Sequence, residues 1–396
     1  MQVPTAGGYD VGMPSTAFVF DEHMADYDLG DDHPLSPMRR ELAVELIRAY
    51  GMLDDPEVTL ITPRAATDAE IARAHAPGYV AAVRRLSSQP VLAQGWDAAQ
   101  WGLAAGGDTP AFAGMHEAAA FLCGASIAAA MEVWEGRADQ AFSAGGGLHH
   151  ALANRAAGFC IYNDPAVAIH ALLDAGATRV AYIDVDVHHG DGTQWIFYED
   201  SRVLTCSVHE SGRYLFPGTG ALAERGMGPG AGTAVNIPLP PYAGDAPYLR
   251  AVEEVIARAV IDFAPEIIVT QDGADPHHKD PLAHLQITMP TFPRVYRALH
   301  QLAEETCDGR WVALGGGGYH TDVVPRAWAM LFAEMTGTEL DARLPAEWLA
   351  AAEQRCGQRL TATLLGDSEP EVPDAERARA DAEGHQVVDQ ALMLLS

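Results

Sequence analysis

Residues 183–192, with the sequence IDVDVHHGDG, carry ionisable side chains at spacings that suit metal binding. Side chains alternate between the two faces of a strand, so Asp184, Asp186 and His188 share a face if extended backbone continues that far. The apolar residues between them argue against an exposed strand, and buried charges need a cation or hydrogen-bonding partners. The pattern therefore predicts a metal ion held at the end of a buried strand.

Asp275 extends this prediction to a second strand. It follows the apolar residues 267–270 after a short turn, and the carboxyl ends of parallel strands lie at one edge of a sheet. Two carboxylates and one imidazole leave coordination positions open for water or substrate, which is typical of a catalytic metal site. The spacing therefore predicts that Asp275 and the aspartate and histidine side chains of residues 184–188 share one metal site.

A histidine pair, His149-His150, follows three glycines that permit close approach of the backbone. Adjacent histidines are more often ordinary core or surface residues. Here, however, Asp184 and Asp191 could each accept the second ring N–H of one imidazole and so set the tautomer that a general base needs. The pattern favours two catalytic histidines, each oriented by a carboxylate.

Tyr319 follows four glycines at residues 315–318. A buried tyrosine often does no more than donate to a carbonyl. A phenol on a glycine loop at a strand end can also approach a substrate and donate a hydrogen bond to a developing oxyanion. The neighbouring candidate residues favour the second interpretation.

Short apolar runs alternate with longer helical patterns, which predicts parallel strands joined by crossover helices. Each predicted strand is followed by a loop rich in glycine, histidine or aspartate, so these loops should meet in one crevice. The predicted helices cover residues 115–135, 246–263 and 293–305, and the predicted strands cover residues 140–144, 179–186, 202–208, 266–271 and 310–314.

Length and composition indicate one large enzyme domain. We place it at residues 1–365, followed at 366–396 by an acidic, proline-containing linker that leaves the core and a C-terminal helical appendage. With 25 basic and 54 acidic residues the net charge is −29, which disfavours nucleic acid as a partner and favours cationic ligands. The N-terminal sequence MQVPTAGGYD has no leader pattern, and no run of 18 apolar residues suggests a membrane span. Cysteines without CxxC spacing complete the prediction of a cytoplasmic protein.

In content and order these loops resemble the zinc-dependent histone deacetylase family, and most closely its bacterial acetoin-utilisation-type branch. The resemblance extends over residues 27–328 and implies a single-domain α/β arginase/deacetylase-like fold, with a central parallel β-sheet flanked by helices on both faces. It rests on the segments YDLGDDHPLSPMRR, AGGGLHHALANRAAGFCIYND, YIDVDVHHGDGTQ, FPGTG, GADPHHKDPLAHLQIT and ALGGGGYHTDVVPRAW.

The resemblance implies a role for each candidate residue. The metal, Zn²⁺ or alternatively Fe²⁺, would be bound by Asp186, His188 and Asp275. The tandem catalytic histidines, the carboxylates that back them and the tyrosine that polarises the scissile carbonyl would be His149, His150, Asp184, Asp191 and Tyr319. A structural K⁺ ion would use atoms of Asp184, Asp186, His188, Ser207 and Val208.

A narrow tunnel for an acyl-lysine side chain is also implied. A rim carboxylate would bind the substrate backbone, a glycine would offer its carbonyl, and two aromatic rings and a leucine would line the walls. These residues are Asp108, Gly158, Phe159, Phe216 and Leu282.

The implied activity is that of a metal-dependent amidohydrolase, which removes acetyl groups from Nε-acetyl-lysine side chains of proteins. Three alternatives remain. An acetylpolyamine amidohydrolase would use the same site behind a more restricted entrance. An arginase-type hydrolase would need two Mn²⁺ ions and more bridging aspartates than the sequence offers. A catalytically silent protein would bind an acyl ligand without hydrolysing it.

Overall fold

The computed structural model describes residues 15–30 and 33–396. The N-terminal sequence MQVPTAGGYD, and Asp31 and Asp32 of the segment YDLGDDHPLSPMRR, lie outside the described residues. The strands in the described part of the chain are β1 (Thr16–Val19), β2 (Val58–Ile61), β3 (Gln140–Ser143), β4 (Val180–Asp184), β5 (Val203–Glu210), β6 (Ala234–Leu239), β7 (Ile267–Gln271) and β8 (Trp311–Leu314). All pair in parallel in one sheet with the order β2-β1-β3-β8-β7-β4-β5-β6.

Helices cover both faces of this sheet. They are α1 (Pro37–Ala49), α2 (Asp68–Ile71), α3 (Pro77–Ser88), α4 (Trp96–Gln100), α5 (Met115–Trp134), α6 (Asp164–Asp174), α7 (Asp191–Ile196), α8 (Asp245–Arg250), α9 (Ala257–Phe263), α10 (Thr291–Cys307), α11 (Val324–Thr336), α12 (Ala346–Cys356) and α13 (Asp374–Leu394). A π-helical segment, Ala251–Ile256, joins α8 to α9. By length and composition α5 could cross a membrane, but most of it is buried in the protein, so we interpret it as a core helix.

Two hydrophobic cores lie on opposite faces of the sheet, and β4 contributes to both. Ala181 and Ile183 pack into one core, whereas Val180 and Tyr182 pack into the other. A strand buried on both faces needs a nearly continuous apolar run, which is what the sequence of β4 provides. The expected α/β fold, a parallel sheet between two helical layers, is confirmed.

The five predicted strands all form, and they are neighbours at the centre of the sheet as β3, β8, β7, β4 and β5. One boundary was wrong in a way that affects the site. The strand expected over residues 179–186 ends at Asp184, so Asp186 lies in the following loop, together with His188, and not on the strand face. The outer strands β1, β2 and β6 were not predicted.

The acidic segment after residue 365 was expected to leave the core, but it remains against it. Asp367 accepts hydrogen bonds from His277, His278 and the backbone N–H of Met289. Further along, α13 packs on β6 and α8, and its Val388 is fully buried. The domain boundary at residue 365 stays a prediction.

Candidate active site

The carboxyl ends of the central strands bring the candidate residues together. The histidine pair follows β3, the metal-ligand candidates follow β4 and β7, and Tyr319 follows β8. The loops are in direct contact, since the backbone N–H of Gly317 donates to Oδ2 of Asp186 at 2.9 Å and that of Val187 donates to Oδ1 of Asp275 at 2.9 Å. The crevice predicted at this edge of the sheet is therefore a single site.

Asp186, His188 and Asp275 converge on one point. Their ligand atoms lie within 4.8 Å of one another, and all three residues are buried. Nδ1 of His188 lies 3.2 Å from Oδ1 of Asp186 and 3.2 Å from Oδ2 of Asp275. The glycine loop after β8 closes over them so tightly that a methyl group at Gly317 would lie 2.1 Å from Oδ2 of Asp275.

The charges in this cluster favour a cation at its centre. Burial opposes protonation of His188, but hydrogen bonds to Asp186 and Asp275 outweigh it and raise the pKa of His188 well above its usual value. Burial and the neighbouring Asp186 raise the pKa of Asp275 to about 6. Two carboxylates and an imidazole are donors that suit Zn²⁺ or Fe²⁺. The three residues therefore fit a divalent metal ion.

A second group of metal-ligand type, His277, His278 and Asp367, has a different explanation. Nε2 of His277 lies 3.0 Å from one Asp367 oxygen, and Nε2 of His278 lies 2.9 Å from the other. The backbone N–H of Lys279 donates to Nδ1 of His277, which places the ring proton on Nε2 for donation to Asp367. Burial also lowers the pKa of His277 to about 4, so the ring is neutral. Hydrogen bonding accounts for this group.

His149 and His150 are each oriented by a carboxylate. Nδ1 of His149 lies 2.8 Å from Asp184, and Nδ1 of His150 lies 2.7 Å from Asp191. Because an ionised carboxylate can only accept, both Nδ1 atoms carry a proton. The two Nε2 atoms lie 3.0 Å apart, so they can form a hydrogen bond only if one of the rings is protonated.

The surroundings decide which ring carries that proton. Burial opposes protonation of His149, but the carboxylates of Asp184 and Asp186 outweigh it and raise the pKa of His149 to about 9. Burial and the charge on His149 together lower the pKa of His150 to about 4. The opposite directions of these two shifts favour the extra proton on His149 and leave His150 as the neutral member of the pair.

Tyr319 stands beside this cluster at the end of the glycine loop. Its backbone N–H donates to Oδ2 of Asp280 at 2.8 Å, and its ring meets the Phe159 ring edge-on with centroids 5.7 Å apart. Burial and the carboxylate of Asp275 raise the pKa of Tyr319 well above its usual value. The phenol therefore keeps its proton and can donate a hydrogen bond.

The five residues expected to form a tunnel line one cavity of about 220 Å³. His150, His188 and Tyr319 line the same cavity, so it leads from the surface to the candidate catalytic groups. The Phe216 ring is 43% exposed at the entrance, and its centroid lies 4.9 Å from that of His150. The tunnel-lining residues expected from the resemblance are Asp108, Gly158, Phe159, Phe216 and Leu282.

Asp108 is exposed and also supports the tunnel wall. Its Oδ2 accepts a hydrogen bond from the backbone N–H of Gly158 at 3.0 Å, and the hydroxyl of the neighbouring Thr109 accepts one from Phe159 at 2.9 Å. The Phe159 backbone has a φ of 68°, which a residue other than glycine rarely adopts. Asp108 and Thr109 thus hold the wall that presents the Phe159 ring.

Three of the residues expected to bind K⁺ lie on two neighbouring strands, and the other two, Asp186 and His188, lie in the loop after β4. Asp184 on β4 and Ser207 on β5 are register partners, and Val208 follows Ser207. Nε2 of His209 donates to the carbonyl of Gly220 at 3.0 Å, so Nδ1 of this neutral ring accepts the Ser207 hydroxyl proton. The Ser207 oxygen therefore keeps lone pairs available for a cation.

Three residues beside the site were not predicted from the sequence. Gln271 donates from Nε2 to Oδ2 of Asp186 at 2.7 Å. Asp280 accepts a hydrogen bond from the backbone N–H of Tyr319. The buried guanidinium of Arg39 donates to the carbonyls of residues 316–318. Arg39 and Asp280 fall within the segments YDLGDDHPLSPMRR and GADPHHKDPLAHLQIT, so the resemblance marked their neighbourhoods but not their contacts.

Comparison with known proteins agrees with this geometry. Residues 33–335 match the histone deacetylase domain. The chain belongs to the histone deacetylase family. It is 39% identical over 381 residues to the acetoin utilization protein AcuC of Bacillus subtilis (strain 168). The matched residues make up 96% of this chain and 97% of that protein. It is 40% identical over 337 residues to AcuC of Staphylococcus xylosus, and that match covers 85% of this chain and 86% of the relative.

Membership confirms that this is an AcuC-like chain of a deacetylase family of hydrolases. A third relative, AcuC of Staphylococcus aureus (strain MSSA476), is 38% identical over 336 residues, which is 84% of this chain and 85% of that protein. The matched range contains every candidate site residue between Asp108 and Tyr319. The roles of those residues stay predictions and are developed below.

Proposed function

We propose that this histone deacetylase family member is a metal-dependent lysine deacetylase, which removes acetyl groups from Nε-acetyl-lysine side chains of proteins or peptides. The observation that carries the proposal is the cavity lined by His150, His188 and Tyr319 behind an apolar entrance. A candidate base, a candidate metal ligand and an oxyanion donor surround the same space. A scissile amide at the tip of a slender side chain would meet all three.

Asp186, His188 and Asp275 would hold the metal. A bound Zn²⁺ or Fe²⁺ ion would polarise the amide carbonyl and acidify a water molecule. Gln271 and Gly317 would keep Asp186 oriented, because both donate hydrogen bonds to its Oδ2.

The histidine pair would move the protons. His150 is neutral, and its Nε2 would exchange the hydrogen bond from His149 for one from the attacking water before it accepts the proton of that water. His149 carries the extra proton, so the pair can then return a proton to the departing lysine amine. Asp184 and Asp191 would keep both rings in the tautomer that points Nε2 at the reaction. Tyr319 would donate its phenol proton in a hydrogen bond to the oxyanion that forms from the carbonyl.

The tunnel would select the substrate. Phe159 and Phe216 would pack against the four methylenes of the lysine, Leu282 would close a wall, and the carbonyl of Gly158 would accept the amide N–H. Asp108 at the entrance would bind the backbone of the peptide. A branched acyl group would not fit between the two rings.

The remaining expectations follow from the family and from charge. A structural K⁺ ion bound by Asp184, Asp186, His188, Ser207 and Val208 would stabilise the loop that carries the metal ligands. We place the enzyme in the cytoplasm, away from nucleic acid and membranes. Its relatives are named for acetoin utilization, and we propose that this chain acts in acetoin utilization as well.

A turnover panel tests the proposal. Purified protein would be given acetyl-lysine peptides, longer acyl-lysine peptides and acetylated polyamines, and the released amine and carboxylate would be measured. We expect the highest kcat/KM on acetyl-lysine peptides, and turnover lower by about 10²- to 10⁴-fold in His150→Ala protein prepared in the same way. Turnover of acetylspermidine with none of the peptides would identify an acetylpolyamine amidohydrolase instead.

A further inference from the structure

The loop that presents the tandem histidines is built around two buried polar side chains at the start of α6. Asn163 is the N-cap of this helix, and Asp164 is its first residue. Neither side chain is accessible to solvent. Both make hydrogen bonds to the backbone of residues 147–151, the segment that contains the histidines.

Asp164 binds the loop immediately before the histidines. The backbone N–H of Gly147 donates to Oδ2 at 3.0 Å, and that of Leu148 donates to Oδ1 at 2.8 Å. The Ser126 hydroxyl adds a third hydrogen bond at 2.5 Å. Successive backbone N–H groups that converge on an anion form a nest, which here is filled by the protein's own carboxylate. The path of the chain into His149 therefore depends on Asp164.

The glycines of the loop fit this interpretation. A methyl group at Gly146 would lie 2.8 Å from Oδ2 of Asp164 and 2.6 Å from Oγ of Ser126. Contacts this short do not occur between real side chains, so only glycine allows the carboxylate to approach the loop. The close approach of Asp164 thus accounts for the glycine at position 146 of the segment AGGGLHH.

Asn163 holds the other side of the histidines. Its side-chain amide donates to the carbonyls of His149 at 3.0 Å and Ala151 at 3.1 Å, while its Oδ1 accepts from the backbone N–H of Ala166 to cap α6. The histidine segment, residues 147–151, therefore donates backbone N–H hydrogen bonds to Asp164 and accepts hydrogen bonds from Asn163 at its carbonyl groups. Both side chains belong to the N-terminus of α6, which packs in the core.

We propose that Asp164 is a positioning residue for deacetylation, which acts by holding the histidine segment at the place where both rings meet their carboxylates. The inference rests on the proposed function. The contacts that it protects are short: Nδ1 of His149 and His150 lie 2.8 and 2.7 Å from Asp184 and Asp191. A shift of about 1 Å in catalytic groups can lower a rate by roughly 10²-fold.

The test is the substitution Asp164→Asn, which keeps the volume of the side chain. It replaces one carboxylate oxygen by an NH₂ group, which cannot accept the hydrogen bond from a backbone N–H of Gly147 or Leu148. We expect kcat on an acetyl-lysine peptide to fall by about 10²-fold while KM stays within about threefold, the pattern of a loss felt mainly in the transition state. Bound metal should equal that of wild type. The matched control is Asp174→Asn at the other end of α6, where an exposed aspartate pairs with Arg73, and it should keep wild-type kcat.

A double variant separates positioning from general damage. In a His150→Ala background, Asp164→Asn should lower the residual rate by less than about threefold, because groups that act as one unit are not additive. Equal losses in both backgrounds, or an unchanged kcat in the single variant, would overturn the assignment. If Asp164→Asn does not fold, Ser126→Ala takes its place, because it removes one hydrogen bond that orients the Asp164 carboxylate, and kcat should again fall while KM is kept. Wild-type protein without turnover would instead refute the proposed function.

Discussion

Nε2 of His149 lies 3.0 Å from Nε2 of His150, and each ring uses its Nδ1 for a different carboxylate. This arrangement allows one extra proton to sit between two rings that are otherwise alike. The carboxylates of Asp184 and Asp186 favour that proton on His149, so His150 is left as the neutral acceptor. A single unit can thus take a proton from water and supply one to an amine.

The first prediction concerns the neutral member of the pair. His150→Ala should lower kcat by about 10²- to 10⁴-fold, the range for a lost general base, without loss of bound metal. The matched control is His23→Ala, since His23 also pairs through Nδ1 with an aspartate, Asp21, but is exposed. Steady-state kinetics of both variants checks this. Near-normal turnover by His150→Ala would show that His150 is a structural residue and not the general base.

The second prediction concerns the oxyanion donor. Tyr319→Phe should keep the fold and the metal but lose roughly 10²- to 10³-fold in kcat, because one hydrogen bond to the oxyanion disappears. Tyr50→Phe removes a hydroxyl that bonds only backbone carbonyls far from the cavity and should keep full activity. Equal kcat values for wild type and Tyr319→Phe would count against the phenol as donor.

Much of the site could be predicted because its residues occupy the loops after buried parallel strands, and such strands have a distinctive apolar pattern. The two edge strands, β2 and β6, depart from that pattern. β2 is an edge strand whose Leu60 is 59% exposed, and β6 is an edge strand that contains Pro238, a residue that argues against a strand when only sequence is seen. Their positions depend on the assembled sheet.

The supporting contacts could not be predicted because they join distant parts of the chain. Arg39 in α1 bonds the glycine loop before Tyr319, and Asp164 bonds the loop before His149. A buried arginine or aspartate has no sequence pattern that names its partner. The expectation that extended backbone aligns Asp186 with Asp184 failed for a related reason, since the loop contacts of Asp186 determine its orientation once β4 has ended.

The third prediction concerns metal content. Asp275→Ala should lower bound metal and activity together, because removal of one of three ligands leaves a weak site. Asp262→Ala, at an exposed aspartate paired with Arg258, serves as the control and should bind as much metal as wild type. Elemental analysis checks this, and full occupancy in Asp275→Ala would remove that residue from the site. Two Mn²⁺ ions per chain in wild type would favour the arginase-type alternative.

The fourth prediction concerns charge at the entrance. With a net charge of −29 and the exposed Asp108 at the rim, the protein should prefer acetyl-lysine peptides with basic flanks over those with acidic flanks. The preference should shrink with added salt, because screening shortens the reach of charge from about 10 Å at 0.1 M to about 3 Å at 1 M. Measured kcat/KM values for the two peptide classes at both salt concentrations check this. A preference that is absent or unaffected by salt would exclude electrostatic steering.

The fifth prediction concerns Asp108 itself. Asp108→Ala should weaken peptide hydrolysis through a higher KM, because it removes the rim acceptor and the support of Gly158. Asp97→Ala, at an exposed aspartate paired with Arg85, is the control and should leave KM unchanged. An unchanged KM for Asp108→Ala would show that the peptide backbone does not use this carboxylate.

The most direct measurement of the central claim is acetate release from an acetyl-lysine peptide before and after metal removal. Chelator-treated protein should release no acetate, and one equivalent of Zn²⁺ or Fe²⁺ should restore both acetate and free lysine amine in equal amounts. Asp275→Ala protein should not be restored. Acetate release that survives complete metal removal would contradict a metal-dependent deacetylase, and metal-loaded protein that binds the peptide without releasing acetate would show a silent acyl-ligand sensor.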